Sequence, residues 1–100
     1  MKKILKYQLG RNGEIVKCTG KFERVLSIMT QNGIPHIWIE ENEDAEEITA
    51  SIIAVGTGME FPAELIGYLG SAIDGFGYVW HYYWFIAPEE EETAEEETEE

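Results

Sequence analysis

The chain is a series of short segments rich in apolar residues that are separated by polar or glycine-containing turns. In residues 4–9 the positions alternate with a period of two, so that Leu5, Tyr7 and Leu9 share one face and mostly polar residues share the other. Segments with β-branched or aromatic residues follow at residues 14–18, 24–31, 34–40, 48–55, 68–73 and 78–86. Both patterns are typical of β-strands. The spacing predicts an all-β domain of about seven short, mainly antiparallel strands, in the form of a small sandwich or barrel.

The clearest turn signal is Asn32-Gly33, which separates the strand patterns at residues 25–31 and 34–40. Asn-Gly tolerates the positive φ angles of a two-residue hairpin turn, so these two strands are predicted to form a hairpin. The acidic stretch at residues 40–47 is predicted to be an exposed loop. Residues 61–66, with a proline near their start, predict at most one short helical turn.

The last predicted strand, residues 78–86, is large and mostly aromatic on both of its faces. One face holds Tyr78, Trp80, Tyr82 and Trp84, and the other holds Val79, His81, Tyr83 and Phe85. A solvated face would carry charges and threonine instead. One small core is not expected to bury both faces, so the pattern predicts a homo-oligomer with this strand at the interface. The alternative is that one face lines a ligand site.

Charge is divided unevenly along the chain, which has 7 Lys+Arg, 20 Asp+Glu and a net charge of −13. All the basic residues lie in residues 1–24, while residues 89–100 are almost entirely glutamate. The tail offers almost no apolar surface, which predicts a single domain over residues 1–88 and a disordered tail over 89–100. Binding to nucleic acid is not expected, because phosphate contacts need a basic surface.

The single Cys18 cannot form an internal disulfide, and no apolar stretch has the length of a signal peptide or a membrane helix. These features predict a cytoplasmic protein that does not bind membranes. The two histidines, His36 and His81, lack metal-ligand spacing, and no catalytic constellation is recognisable. We therefore expect no metal, no cofactor and no enzymatic activity.

Aromatic residues are the best functional lead, because flat faces can hold a nucleobase while an arginine holds its phosphate. Core packing is the alternative for the aromatic residues, and a structural ion pair is the alternative for the arginines. The segment Gly56-Thr57-Gly58 offers an anion-binding turn or merely a tight connection between strands. The candidate ligand-binding residues are Arg11, Arg24, Trp38, Thr57, Gly58, Trp80 and His81.

Several short motifs occur in a distinctive order along residues 3–83. They are the opening Met1–Tyr7, Gln31–Pro35 leading to Trp38, Val55–Gly58, Gly67–Ser71 and Val79–Tyr83. In this the chain resembles a family of small, uncharacterised bacteriophage and prophage proteins, a domain of unknown function. The resemblance implies a phage origin and action in the cytoplasm of the infected bacterium, and it implies no particular activity.

By analogy of size and origin with other small phage proteins, we expect a counter-defence binding protein. It would act as a sponge, a homo-oligomer that sequesters a host nucleotide-type immune signal such as a cyclic nucleotide or an ADP-ribose derivative. Arg24 leads into the hairpin strand and is expected to be the more rigid phosphate anchor of the two arginines. The alternatives are an acidic, DNA-mimicking inhibitor of a host defence protein, a small accessory or structural phage protein and, last, an enzyme that cleaves the signal.

Overall fold

The computed structural model describes residues 1–86, which form two packed sheets of antiparallel strands. The strands are β1 (Lys2–Gln8), β2 (Ile15–Gly20), β3 (Phe22–Gln31), β4 (Ile34–Asn42), β5 (Ile48–Gly56), β6 (Gly67–Ile73) and β7 (Val79–Phe85). The three-stranded sheet has the order β1-β4-β3, and the four-stranded sheet has the order β2-β5-β7-β6. The all-β prediction is confirmed, and the architecture is a sandwich rather than a closed barrel.

The predicted hairpin joins β3 to β4, with Gln31 paired with Ile34. Its turn residues have positive φ angles, 55° at Asn32 and 79° at Gly33, as a tight turn of this hand requires. β4 extends to Asn42, into the stretch that was predicted to be an exposed loop. The two glutamates in this part of β4, Glu40 and Glu41, have basic partners in the flanking strands β3 and β1. The sheet can therefore include them.

Residues 61–66 form an extended connection with a turn at Ala63 and Glu64, rather than the helical turn that the sequence allowed. The connection from β5 to β6 instead crosses the outer side of β7. The Phe61 ring lies 4.9 Å from the Tyr83 ring, centroid to centroid, and the Ile66 N–H donates to the Trp84 carbonyl at 3.1 Å. Phe61 therefore contacts the sheet, so the segment follows the sheet surface.

The core lies between the two sheets and contains Leu9, Cys18, Ile37, Ile39, Ile52, Ala54 and Tyr82. Cys18 is 1% exposed, and burial raises the pKa of its thiol to about 11. A thiol that is buried and protonated at neutral pH behaves as a small apolar side chain. Cys18 is therefore a packing residue.

The two aromatic faces of β7 have different environments. Trp80, Tyr82 and Trp84 contact the core, whereas Val79, His81, Tyr83 and Phe85 alternate with them and point to the outer side of the four-stranded sheet. Only one aromatic face of β7 is therefore used by the core of this domain.

The sandwich is closed along one edge, where β3 lies beside β6. The Thr30 hydroxyl donates to the Ile73 carbonyl, and the Gly75 N–H donates to the Gly33 carbonyl at 2.8 Å. Toward the other end of this edge, the sheets separate around an apolar cleft of about 310 Å³. The closed end brings the loops at residues 10–14, 32–33 and 74–78 together.

None of residues 1–86 belongs to a helix that could cross a membrane. The predicted domain boundary at residue 88 and the predicted disordered tail at 89–100 lie outside the described residues.

Candidate functional site

The seven predicted ligand-binding residues lie in three separate places. Arg24 and Trp38 lie on the outer face of the three-stranded sheet. Thr57, Gly58 and His81 lie on the outer face of the four-stranded sheet. Arg11 and Trp80 lie at the closed end of the sandwich.

Trp38 and Arg24 are both on the outer face of the three-stranded sheet. Trp38 alternates with the buried Ile37 in β4, and the Lys6 ammonium lies 5.9 Å from the Trp38 ring centroid. The Arg24 Nε donates to Glu40 Oε1 at 2.8 Å. The Arg24 guanidinium is thus already bound to a carboxylate. This is the structural ion pair that was the alternative to a ligand-binding role for the arginines.

Thr57 and His81 are brought together on the outer face of the four-stranded sheet. His81 shares hydrogen bonds with the Thr57 hydroxyl at Nε2, 2.8 Å, and with the Ser71 hydroxyl at Nδ1, 2.7 Å. The Tyr68 hydroxyl in turn lies 2.5 Å from the Ser71 oxygen. Gly58 adjoins this network with a φ of 91°. Because both ring nitrogens of His81 have protein partners, the network holds the ring in place rather than presenting it to a ligand.

Arg11 and Trp80 are brought together at the closed end of the sandwich. They line an open hollow of about 490 Å³ with Asn12, Glu14 and Tyr78, which we call the Arg11 hollow. The Tyr78 side chain is largely exposed, and its ring centroid is 6.3 Å from that of Trp80. Two aromatic rings and a guanidinium therefore share one open surface.

Asp74 organises this end of the molecule. Its Oδ2 accepts a hydrogen bond from Trp80 Nε1 at 2.9 Å, and its Oδ1 accepts from the backbone N–H groups of Phe76 at 2.9 Å and Tyr78 at 3.0 Å. The carboxylate is buried, with only 1% of the side chain exposed. Asp74 thereby fixes both the Trp80 ring and the backbone that carries Tyr78.

Asp74 was not among the predicted ligand-binding residues, although a signal for this role exists. An aspartate that opens a turn commonly accepts hydrogen bonds from the backbone N–H groups that follow it. The indole partner is six residues further along the chain, and nothing in a local pattern specifies that contact.

The hydrogen bond from Trp80 lowers the pKa of Asp74 below its usual value of 3.8, against the opposing effect of burial. The backbone N–H groups of Tyr78 and Phe76 and the charge of Arg11 lower it further. Asp74 is therefore a carboxylate at neutral pH.

The loop that carries Arg11 is held on both sides. The Arg11 backbone N–H donates to Glu14 Oε1 at 2.8 Å, and the buried Tyr82 hydroxyl donates to the Gly10 carbonyl at 2.8 Å. The guanidinium itself is half exposed, with Nη1 3.7 Å from Asp74 Oδ2 and its carbon 5.5 Å from the Phe76 ring centroid. The backbone is therefore fixed while the charged group faces the hollow.

Because the pKa of Asp74 is lower in the folded state than in the unfolded chain, its charge stabilises the fold above about pH 4. This contribution is lost as the pH falls through the folded-state value. Asp74→Asn, which cannot accept at both side-chain positions, is expected to lower the urea midpoint at neutral pH. The difference from the unmodified protein should narrow below about pH 4.

The matched control for this experiment is Asp44→Asn, because Asp44 is exposed. Its urea midpoint should follow that of the unmodified protein at every pH. An Asp74→Asn difference that stays the same from about pH 7 to about pH 3 would contradict the role assigned to the Asp74 charge.

Within residues 1–86, no three His, Cys, Asp or Glu side chains are grouped closely enough to hold a metal ion. The chemistry of the Arg11 hollow is instead that of recognition: flat rings, one guanidinium and backbone groups held in place.

The family model of a domain of unknown function, DUF7352, matches residues 1–94, and the chain belongs to this family. No curated protein and no solved structure matches the sequence.

Proposed function

We propose that the protein binds and sequesters a nucleotide-type signal in the Arg11 hollow, without cleaving it, as a homo-oligomer. The observation that carries this proposal is that Arg11 and Trp80, far apart in sequence, line one open hollow with the exposed Tyr78. A guanidinium beside aromatic rings is the combination that recognises a phosphate and a nucleobase together.

Arg11 is better suited than Arg24 to anchor a phosphate. A guanidinium binds phosphate through two parallel N–H donors, so these donors must be accessible. The Arg11 Nη1 is 3.7 Å from the Asp74 oxygen, beyond the length of a good hydrogen bond, so this contact leaves the N–H donors of Arg11 accessible. The Arg24 Nε, in contrast, forms a 2.8 Å bond with Glu40.

The aromatic rings of the hollow are suited to hold a base. Asp74 fixes the Trp80 indole, so little conformational entropy would be lost at this ring when a ligand binds. Tyr78 is 63% exposed and supplies an accessible second ring. The hollow, about 490 Å³, lies within the usual size range of small-molecule sites.

The net charge of −13 repels anions at long range, which restricts the ligand. Arg11 is the only basic residue among those lining the hollow. One guanidinium carries a single positive charge, and the Glu14 carboxylate also lines the hollow, so we expect cyclic nucleotides or ADP-ribose derivatives rather than polyphosphates.

A role in phage counter-defence belongs to the same proposal. The sequence resemblance to small phage and prophage proteins supports it, together with a site whose groups bind rather than react. In this role the protein would act in the cytoplasm of an infected bacterium and lower the free concentration of a host signal.

Calorimetric titration of the full chain with cyclic dinucleotides, cyclic trinucleotides and cyclic ADP-ribose derivatives tests the proposal. We expect saturable binding of at least one compound, and that compound should be recovered chemically intact from the complex. Absence of binding across the panel would overturn the proposal, and recovery of a cleaved product would replace sequestration with an enzymatic function.

Deleting residues 89–100 separates this proposal from the alternative of an acidic, DNA-mimicking inhibitor. Binding in the Arg11 hollow does not need the tail, so the truncated chain should keep its affinity for the ligand. A mimic that acts through nine tail glutamates should lose its inhibition of a basic host protein.

A further inference from the structure

The four-stranded sheet is almost free of charge. Its strands β2, β5, β6 and β7 contain no aspartate or glutamate and one basic residue, Lys17. This composition is unusual in a chain with 20 Asp+Glu. An acidic protein thus presents a whole sheet that lacks carboxylates.

The outer face of this sheet is apolar and exposed. Ile73 and Val79, which are register partners in β6 and β7, are 52% and 41% exposed. Tyr68 in β6, Ile15 at the opposite edge and Phe61 in the crossing connection are also exposed. Exposed apolar side chains therefore lie at both edges of the face and in the connection that crosses it, whereas the outward-facing Ser51 and Val55 of the central strand β5 are buried.

The outer face of the three-stranded sheet also exposes apolar side chains, Ile4 and Met29, but it differs in carrying charges. It carries Lys6 beside Trp38 and the ion pair of Arg24 with Glu40. Such a face is stable in water, as is usual for one side of an antiparallel sheet. The two outer faces of the sandwich are thus one solvated face and one face with the composition of an interface.

We propose that a second copy of this chain covers the outer face of the four-stranded sheet, the two copies packing through these faces. The inference specifies the subunit contact of the homo-oligomer in the proposed function. It narrows the interface within β7 from the whole strand to Val79, His81, Tyr83 and Phe85, because Trp80, Tyr82 and Trp84 contact the core.

Electrostatics favours a second copy over a different protein. Two chains of charge −13 repel each other, and the repulsion is smallest where no carboxylate of one copy faces a carboxylate of the other. A two-fold contact places the same patch of both copies together, so the patch must be compatible with itself. The outer face comes close to this condition, because its four strands carry no carboxylate. Its charged residues are Lys17 in β2 and the exposed Glu60 and Glu64 of the crossing connection, a small mixed set that does not select a strongly basic or acidic partner.

The test is the double variant Ile73→Glu/Val79→Glu, measured by light scattering coupled to gel filtration from about 1 to 100 µM. We expect the unmodified protein to have at least twice the mass of one chain and the variant to have the mass of one chain. Four glutamates would meet in a two-fold contact, and desolvating them has no compensating interaction. Both positions are exposed, so the fold should be retained, as circular dichroism will show.

The matched control is Ile4→Glu/Met29→Glu, which adds the same charge at two exposed apolar positions of the other sheet. This variant should keep the mass of the unmodified protein. A single-chain mass for the unmodified protein, or an unchanged mass for a folded Ile73→Glu/Val79→Glu variant, would overturn the inference. If the double variant does not fold, Ile73→Glu alone provides the same two outcomes.

The outcomes for assembly and for ligand binding are independent, because Arg11 and Trp80 belong to the same chain. A protein that assembles as expected but binds no nucleotide keeps this interface and loses the proposed ligand. A monomer that binds nucleotide keeps the proposed ligand and loses this interface.

Discussion

Tyr82→Ala is expected to lower the free energy of unfolding by about 3–5 kcal/mol, the usual cost of removing a large buried aromatic side chain. Tyr82 is completely buried between the sheets and belongs to the core cluster with Ile37 and Ile52. Small domains have a total stability of about 5–15 kcal/mol, so the variant should be close to unfolding at 25 °C. Urea denaturation followed by fluorescence measures the change.

Two further variants separate the contributions of the ring and the hydroxyl. Tyr82→Phe keeps the ring and loses the hydrogen bond to the Gly10 carbonyl, so it should cost about 1–2 kcal/mol. Tyr78→Ala removes an exposed tyrosine from the turn that precedes β7, and it should lower the free energy of unfolding much less than Tyr82→Ala does. A small effect of Tyr82→Ala, comparable to that of Tyr78→Ala, would contradict the placement of Tyr82 in the core.

Arg11→Ala is expected to weaken the binding of the nucleotide ligand by about 1.5–3 kcal/mol, the range for losing a charged hydrogen bond. This corresponds to a Kd that is higher by roughly 10- to 150-fold. Arg11→Lys should recover only part of the affinity, because an ammonium group lacks the two-pronged geometry of guanidinium. Calorimetry on the two folded variants measures both effects.

Arg24→Ala is the matched control, since it removes the other arginine from an exposed position. The Arg24 side chain is bound to Glu40, so its loss should change ligand affinity little. The reverse result, with Arg24→Ala weakening binding and Arg11→Ala leaving it unchanged, would move the phosphate anchor to the outer face of the three-stranded sheet.

The local features of the fold were predictable from the sequence because each depends on neighbouring residues. Asn32-Gly33 requires positive φ angles at two successive positions, and this requirement specifies a hairpin. The alternation along residues 79–85 likewise distinguishes one face from the other. The pattern predicted a strand with two aromatic faces, and the structure assigns the face with Trp80 to the core.

The candidate site was predictable only as a set of residue types. Whether Arg11 meets Trp80 depends on how segments distant in sequence pack together, and this packing has no local signal. β7 lies between β5 and β6, so Gly56 is the register partner of Trp80. The ion pair of Arg24 with Glu40 lies within the predicted hairpin, but its register depends on two irregularities in β3, between Phe22 and Arg24 and between Val25 and Ser27, which the alternation does not specify.

The strand order has a consequence for how the chain folds during synthesis. β3 and β4 pair through a two-residue turn. β1 can pair only after β4 has been synthesised, because its partner strand is β4 and Gln8 pairs with His36. Pairing between residues distant in sequence is slow because a long loop must close first. The lysines of β1 are suited to this delay, because they discourage an unpaired strand from joining another chain. The four-stranded sheet is completed only when β7 has left the ribosome, so its apolar outer face forms last.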